Sequence, residues 1–150
     1  MSDKVKLKKV NFNNWEVVAE LELGAGQEDL VASNLYSIAE AQFDPDARPR
    51  AVYAGKHVVG FLMYDVQKTK GKAQEASIYR FMIDRKHQGK GYGRAALSKA
   101  LEEIRAIPRV IRISIRYMPE NPVAKPFYAS FGFEEVGEDR DGEVIAVLKL

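Results

Sequence analysis

The stretch that decides the fold is a glycine-rich turn, Arg85-Lys86-His87-Gln88-Gly89-Lys90-Gly91-Tyr92-Gly93-Arg94. An apolar run typical of a buried strand, Ile78 to Ile83, precedes it, and residues 95–104 have the apolar spacing of a helix. Glycine has no Cβ, so the backbone of such a turn can approach a ligand closely. The first amides of the following helix lie unpaired at the positive end of its dipole. The turn is therefore predicted to bind phosphate groups, with lysine and arginine side chains adding positive charge.

The spacing of the glycines distinguishes this turn from two other phosphate-binding turns. A Rossmann turn needs Gly-x-Gly-x-x-Gly, but Arg94 stands where the third glycine should be, and no Gly-Lys-Ser/Thr of a P-loop is present. The pattern that fits is Gln88-x-x-Gly91-x-Gly93. It resembles the acyl-CoA signature of the GNAT family of N-acetyltransferases, in which the amides of the turn hold the pyrophosphate of acetyl-CoA. The alternative is an ordinary strand-to-helix turn.

A second motif follows one predicted helix and one predicted strand later. It reads Asn121-Pro122-Val123-Ala124-Lys125-Pro126-Phe127-Tyr128-Ala129-Ser130-Phe131-Gly132-Phe133. Gly132 suits the left-handed position after a short helix, and the phenol of Tyr128 can donate a proton to a leaving thiolate. The motif resembles the GNAT pattern Asn-x-x-Ala-x-x-Phe/Leu-Tyr-x-x-x-Gly-Phe. That resemblance implies that Tyr128 contacts the CoA sulfur and Asn121 the pantetheine arm; the alternative is a core tyrosine beside phenylalanines.

Length and composition exclude several classes of protein. The 150 residues suit a single domain spanning 1–150. The chain has no cysteine and two histidines, which excludes a disulfide framework, a thiolate zinc site and a cysteine nucleophile. A formal net charge of +2 does not indicate a nucleic-acid partner. The longest apolar run, Val58 to Tyr64, is far shorter than the roughly 20 residues that span a bilayer. We expect a cytoplasmic protein with no metal, no membrane contact and no nucleic acid.

The pattern of apolar residues predicts an α/β fold with a mixed sheet covered on both faces. The predicted strands are Val5–Val10, Arg50–Ala54, Val58–Gln67, Ala73–Ile83, Val110–Arg116, Glu134–Glu138 and Val144–Leu150. The predicted helices are Trp15–Leu23, Asp29–Phe43, residues 95–104 and Asn121–Phe131. This order is similar to that of the GNAT fold, which implies a central, mostly antiparallel twisted sheet. Dimers are common in that family, and in a homodimer the apolar last strand, Val144 to Leu150, could pair across a two-fold axis.

The resemblance also implies a mechanism. Acetyl-CoA would lie where the strand ending at Ile83 separates from the strand ending at Arg116, and its pantetheine arm would pair with the exposed backbone. An amine would then attack the thioester directly, without an acyl-enzyme. The residues implied for acetyl-CoA binding are Met82, Ile83, Gln88, Gly89, Lys90, Gly91, Tyr92, Gly93, Arg94, Asn121 and Tyr128.

The acceptor is predicted from charge and from local similarity. No lysine or arginine occurs between Lys9 and Arg48, whereas acidic residues are frequent there, and an acidic mouth suits a cation. Residues 31–41, 59–64 and 79–81 look most like the bacterial spermine/spermidine acetyltransferase branch, which implies a polyamine acceptor. The residues expected to contact the amine are Glu28, Tyr36, Glu40 and Tyr79. Solvated helix faces are the alternative explanation of these charges.

The sequence does not single out one group that accepts the amine's proton. Polyamine acetyltransferases of the family often carry an acidic residue at the position of Tyr79. The candidates here are Glu75 through water, Tyr79, or an acidic residue of the second helix, and Tyr128 is the expected acid at sulfur. Two further functions stay open. The acceptor could be a protein N-terminus or lysine, in a peptide-wide groove, or the chain could be a non-catalytic acyl-CoA sensing module.

Overall fold

The computed structural model describes residues 4–24, 32–69, 71–72 and 74–150. Within these residues, seven strands form one sheet in the order β1-β2-β3-β4-β5-β7-β6. The strands are β1 (Val5–Lys9), β2 (Ala47–Ala54), β3 (His57–Asp65), β4 (Glu75–Ile83), β5 (Arg112–Tyr117), β6 (Glu134–Glu138) and β7 (Val144–Lys149). The helices are α1 (Trp15–Glu20), α2 (Asn34–Ala41), α3 (Tyr92–Arg105) and α4 (Ala124–Ala129), with a 3-10 turn at Arg85–His87. Among the paired strands, β4 and β5 run parallel and the others antiparallel. The predicted α/β class is confirmed.

Helices cover both faces of the sheet, because the two faces carry separate apolar clusters. The larger cluster joins the sheet to α3, which buries Ala96, Leu97, Ala100, Leu101 and Ile104 on one stripe. The smaller cluster, on the opposite face, packs Val18 of α1 and Ile38 of α2 against β2, β3 and β4. We call these the α3/α4 face and the α1/α2 face. None of the described helices is long and apolar enough to span a membrane.

A bulge in β4 opens the centre of the sheet. Arg80 pairs with Met63 and Ile78 pairs with Tyr64, so Tyr79 is an extra residue without a partner in β3. Bulges bend a strand and increase its twist. Pairing between β4 and β5 ends at Ile78 and Ile115, immediately before this bulge. The rest of β4 therefore diverges from β5, as the sequence predicted for the strands ending near Ile83 and Arg116.

Several predicted element boundaries are wrong for identifiable reasons. Helix α1 ends at Glu20 rather than at Leu23, because the chain becomes extended at Leu21 and the Glu22 amide bonds to Asp84. Helix α4 is limited to Ala124–Ala129. Strand β2 begins at Ala47 and includes Pro49, a residue that pairs with β3 but lies beyond the end of β1, so its missing N–H removes no ladder bond.

The expected pairing of the last strand across a dimer axis is also wrong. β7 lies between β5 and β6 and is hydrogen-bonded to both. Its backbone groups are used inside the sheet, so it presents no edge to a second copy. The edges of the described sheet are β1 and β6.

Candidate active site

A cleft of about 880 Å³ lies where β4 and β5 separate. Its volume is in the range of sites that hold small molecules and cofactors. It brings together nine of the eleven residues predicted to bind the cofactor, namely Met82, Ile83, Gln88, Gly89, Gly91, Tyr92, Gly93, Asn121 and Tyr128. Tyr79 also lines it. The cleft thus joins the glycine turn, the divergent half of β4 and α4.

The glycine turn has the backbone geometry of an anion cradle. Gly89 and Gly91 have φ angles of 79° and 83°, which are left-handed values that favour glycine. A Cβ added at either position would meet nothing within 4 Å, so the space above the turn is open. Gly91 caps α3, whose first hydrogen bond runs from the Ala95 amide to the Gly91 carbonyl at 3.1 Å. The amides of Tyr92, Gly93 and Arg94 precede that bond and lie at the positive helix terminus.

Two side chains fix this turn to the sheet. Gln88 Nε2 donates to the carbonyl of Ile83 at 2.9 Å. Asp84, 7% exposed, accepts from the Glu22 amide at 2.8 Å and from the Lys86 amide at 3.4 Å. A buried carboxylate between β4 and the 3-10 turn therefore sets the direction in which the chain enters the cradle. Asp84 was not predicted, although an aspartate just after an apolar strand is a typical capping signal.

The side chain of Arg94 packs against α4 and the loop that follows it. Its guanidinium lies 4.6 Å from the ring centroid of Phe131 and 5.6 Å from that of Phe127. Its Nη2 donates to Ser130 Oγ at 2.6 Å. The guanidinium therefore lies against the two phenylalanines of α4 and the following loop, and Arg94 is not among the described residues that line the cleft. Lys90 is likewise absent from the described lining of the cleft.

Tyr128 lies on the α3/α4 face among aromatic rings. It stacks on Tyr117 with centroids 5.8 Å apart, and it meets Phe127 and Phe133 edge-on. Burial, followed by the neighbouring Tyr117, raises the pKa of Tyr128 to about 12. The phenol therefore keeps its proton throughout the physiological range and can act as a hydrogen-bond donor.

Asn121 caps helix α4 and also lines the cleft. Its Oδ1 accepts from the amides of Val123 and Ala124 at 3.1 and 3.2 Å, which caps the start of α4. The side chain also lines the cleft. A ligand would therefore be contacted through Nδ2, since the carbonyl oxygen is used by the cap.

The α1/α2 face of the cleft carries a different set of groups. Arg80 donates through Nε to Ser37 Oγ at 3.1 Å and forms an ion pair with Glu40 at 3.3 Å. Because of the bulge, the adjacent Tyr79 points to the same face, where it packs in the smaller apolar cluster. Burial, then the charges of Asp65 and other acidic groups, raises the pKa of Tyr79 well above its usual value. Tyr79 is therefore neutral and cannot serve as a proton acceptor at physiological pH.

Glu143 is a cleft residue that sequence reasoning missed. It precedes β7, in which Val144, Ala146 and Leu148 pack toward the α3/α4 face, so alternation directs Glu143 to the α1/α2 face. Burial, then the nearby charge of Asp139, raises its pKa above the ordinary glutamate value. One glutamate in a polar hairpin gives no sequence signal that separates it from a solvated residue.

Among the described residues, Glu75, Tyr36 and Glu40 were predicted for the site but do not line the cleft. Glu75 lies at the opposite end of β4, where it forms an ion pair with Arg112 at 3.4 Å. Tyr36 is 60% exposed and borders a separate shallow depression on α2 together with Glu40. Glu28 lies outside the described residues. Glu40 reaches the cleft only through its ion pair with Arg80.

Comparison with known proteins identifies the family. The pattern of the acetyltransferase (GNAT) family matches residues 15–133. The chain is 27% identical to the spermine/spermidine N(1)-acetyltransferase of Bacillus subtilis, over 97% of this chain and 99% of that protein.

Solved structures share the fold. The aminoglycoside acetyltransferase AAC(6')-Ib, in complex with coenzyme A and kanamycin, is 16% identical with a TM-score of 0.80, over 97% and 94% of the two chains. The spermidine N-acetyltransferase of Vibrio cholerae, in complex with CoA and spermine, is 18% identical with a TM-score of 0.77, over 97% and 95%. Since the family pattern covers most of the sequence, the chain belongs to the GNAT family of acetyltransferases.

Proposed function

We propose that this acetyltransferase moves an acetyl group from acetyl-CoA to a primary amine of a small polyamine, by direct attack within a ternary complex. The observation that supports this most strongly is the cleft itself. The opened half of β4, the glycine turn at the start of α3 and the partly buried side chain of Tyr128 border one continuous space.

The backbone amides and carbonyls that border the cleft are suited to bind acetyl-CoA. The half of β4 beyond Ile78 has no strand partner on its β5 side. The two amide groups of a pantetheine arm can pair with this free edge as an added strand would, with Met82 and Ile83 as the nearest partners. The pyrophosphate then meets the amides at the N-terminus of α3 and in the turn. The open space above Gly89 and Gly91 leaves room for its oxygens.

Tyr128 supplies a hydrogen bond to the leaving sulfur. With a pKa of about 12, its phenol is a weaker acid than a thiol, whose pKa is near 8.5. Complete proton transfer to a thiolate would be uphill, so the phenol stabilises the developing charge by donating a hydrogen bond. A β4 amide near Met82 polarises the thioester carbonyl, and the positioning of both substrates provides much of the remaining rate gain.

The charges on the α1/α2 face favour a cationic acceptor. Arg80 is compensated by Glu40, and Arg116 forms an ion pair with Asp139 at 3.3 Å. Glu143 then adds a further negative charge at the lining of the cleft. An amine with several positive charges would be attracted to such a site. The similarity to a spermine/spermidine acetyltransferase along the whole chain points to the same acceptor class.

The test is the release of free CoA thiol against a panel of amines. Spermidine and spermine should give the highest kcat/KM, and putrescine-like diamines, single amino acids, a peptide with a free N-terminus and kanamycin should be slower. A reaction without amine measures background thioester hydrolysis. Turnover of the peptide or kanamycin alone would overturn the polyamine proposal but keep the acetyl transfer. Tight CoA binding with no thiol release for any amine would indicate a sensing module.

A further inference from the structure

A primary amine must lose a proton before it attacks, and few groups in the cleft can accept one. Among the described residues that line it, Glu143 is the one carboxylate and His87 the one imidazole. His87 belongs to the 3-10 turn before the glycines, and its ring lies 6.3 Å from that of Tyr92. It is therefore at the phosphate end of the cleft. Tyr79 stays protonated, and Glu75 is ion-paired with Arg112 outside the cleft.

The geometry of the β6–β7 turn holds Glu143 in place. Its amide donates to Asp139 Oδ1 at 2.9 Å, and its carbonyl accepts from the Asp139 amide, also at 2.9 Å. The side chain extends to the α1/α2 face, which is the face opposite Tyr128. A nucleophile that arrives on this face would meet the thioester from the side away from the phenol.

The arginines near Glu143 are engaged by other acids. Arg116 of β5 pairs with Asp139, and Arg80 of β4 pairs with Glu40. No described residue forms an ion pair with the carboxylate of Glu143 itself. The charged groups that face it are Asp139 and Asp141 of its own turn and the two arginines; burial and the aspartates raise its pKa, and the arginines lower it. A carboxylate with a raised pKa is a better base than an ordinary glutamate.

Resting on the acetyl transfer proposed above, we propose that Glu143 is the catalytic base that deprotonates the acceptor ammonium, directly or through one water. The carboxylate takes one proton from R-NH3+, which leaves R-NH2 with its electron pair. That nitrogen forms a bond to the thioester carbon. The carbon–sulfur bond then breaks, its electrons leave on sulfur, and the second proton lost by nitrogen ends on the CoA thiol. The products are the N-acetyl amine, CoA-SH and protonated Glu143, which returns its proton to water.

The test compares Glu143→Gln with Glu138→Gln, which makes the same charge change on the exposed part of the same hairpin. At pH 7, Glu143→Gln should lower kcat/KM for spermidine by about 10²–10⁴-fold, the usual loss of a general base. Glu138→Gln should change it by less than about threefold. Calorimetric affinity for CoA should be equal in all three proteins, since Glu143 lies away from the turn.

The pH profile separates a base from a structural residue. The wild-type kcat/KM should rise along an acidic limb set by Glu143 and then level off. In Glu143→Gln, attack depends on the unprotonated amine, whose pKa is about 10. Its kcat/KM should then rise tenfold per pH unit and approach the wild type near pH 9–10. Glu143→Asp should restore part of the loss at pH 7.

Three results would overturn this assignment. A parallel loss at every pH, an unchanged rate in Glu143→Gln, or a wild-type profile without an acidic limb would each do so. The last measurement needs no variant, so it decides the point even if the substitutions impair folding. Failure of the wild type with every amine would refute the proposed acetyl transfer instead.

Discussion

Gly91→Ala is the sharpest probe of the cradle, because its effects on stability and on binding can be separated. Gly91 has a φ of 83°, and an added Cβ would meet nothing within 4 Å in the free protein. The stability cost is therefore that of holding alanine in the left-handed region, about 1–2 kcal/mol. For a chain of this length, that corresponds to a decrease in Tm of about 2–8 °C. The new methyl group would, however, occupy the space proposed for the pyrophosphate.

Gly71→Ala is the matched control. Gly71 lies in the turn before β4, has a φ of 72° and also has nothing within 4 Å of an added Cβ. The two variants should lose similar stability by thermal unfolding. In Gly91→Ala, loss of one hydrogen bond to a charged group costs about 1.5–3 kcal/mol, which weakens CoA binding by about 10- to 150-fold in calorimetry. The Kd of Gly71→Ala should equal that of the wild type.

A Gly91→Ala variant that binds CoA as tightly as the wild type and Gly71→Ala would refute this reasoning. It would mean that the pyrophosphate does not approach the turn, whatever the effect on stability. Equal weakening of CoA binding in both variants would also contradict this reasoning. The loss would then come from backbone strain at any left-handed alanine and not from a methyl group at the pyrophosphate.

Three further substitutions test the rest of the site. Tyr128→Phe should lower kcat by about 10²-fold and leave the CoA Kd within about threefold, since one donor to a developing charge is lost; equal kinetics would remove the phenol from the chemistry. Asp141→Asn removes a negative charge that raises the pKa of Glu143, so the acidic limb of the kcat/KM profile should move to lower pH, and a move to higher pH would contradict this. Gly60→Ala would put a Cβ 2.6 Å from the Met82 carbonyl oxygen; overpacking of this kind costs about 1–3 kcal/mol, so both Tm and CoA affinity should decrease, and an unchanged Tm would count against a tight β3–β4 contact.

The parts of the fold that the sequence predicted are those carried by local patterns. The alternation of apolar residues located the strands, and the glycine-rich turn located α3, although the helix begins at Tyr92, inside that turn, and not at residue 95. Helix α1 was predicted too long because its end depends on Asp84, which lies 62 residues further along the chain and binds the Glu22 amide. The position of β7 between β5 and β6 depends on topology, which an apolar run cannot reveal.

The sequence predicted the backbone elements that form the candidate site, but it predicted only some of the side chains that line it. The two motifs fixed the turn and Tyr128, and their residues line one cleft. The bulge at Tyr79 left no local signal, because it arises from the register between β3 and β4. It turns Tyr79 and Arg80 to the same face, which strict alternation would not predict. Glu143 escaped notice for a similar reason, since it reaches the cleft only through the pairing of β7 with β5.

The most direct test of the central claim is a crystal structure of the protein with CoA. We predict density for the pyrophosphate against the amides from Gln88 to Arg94 and for the sulfur beside the Tyr128 hydroxyl, with the pantetheine arm along β4. Density for CoA outside the opening between β4 and β5, or a sulfur out of reach of the phenol, would contradict the account.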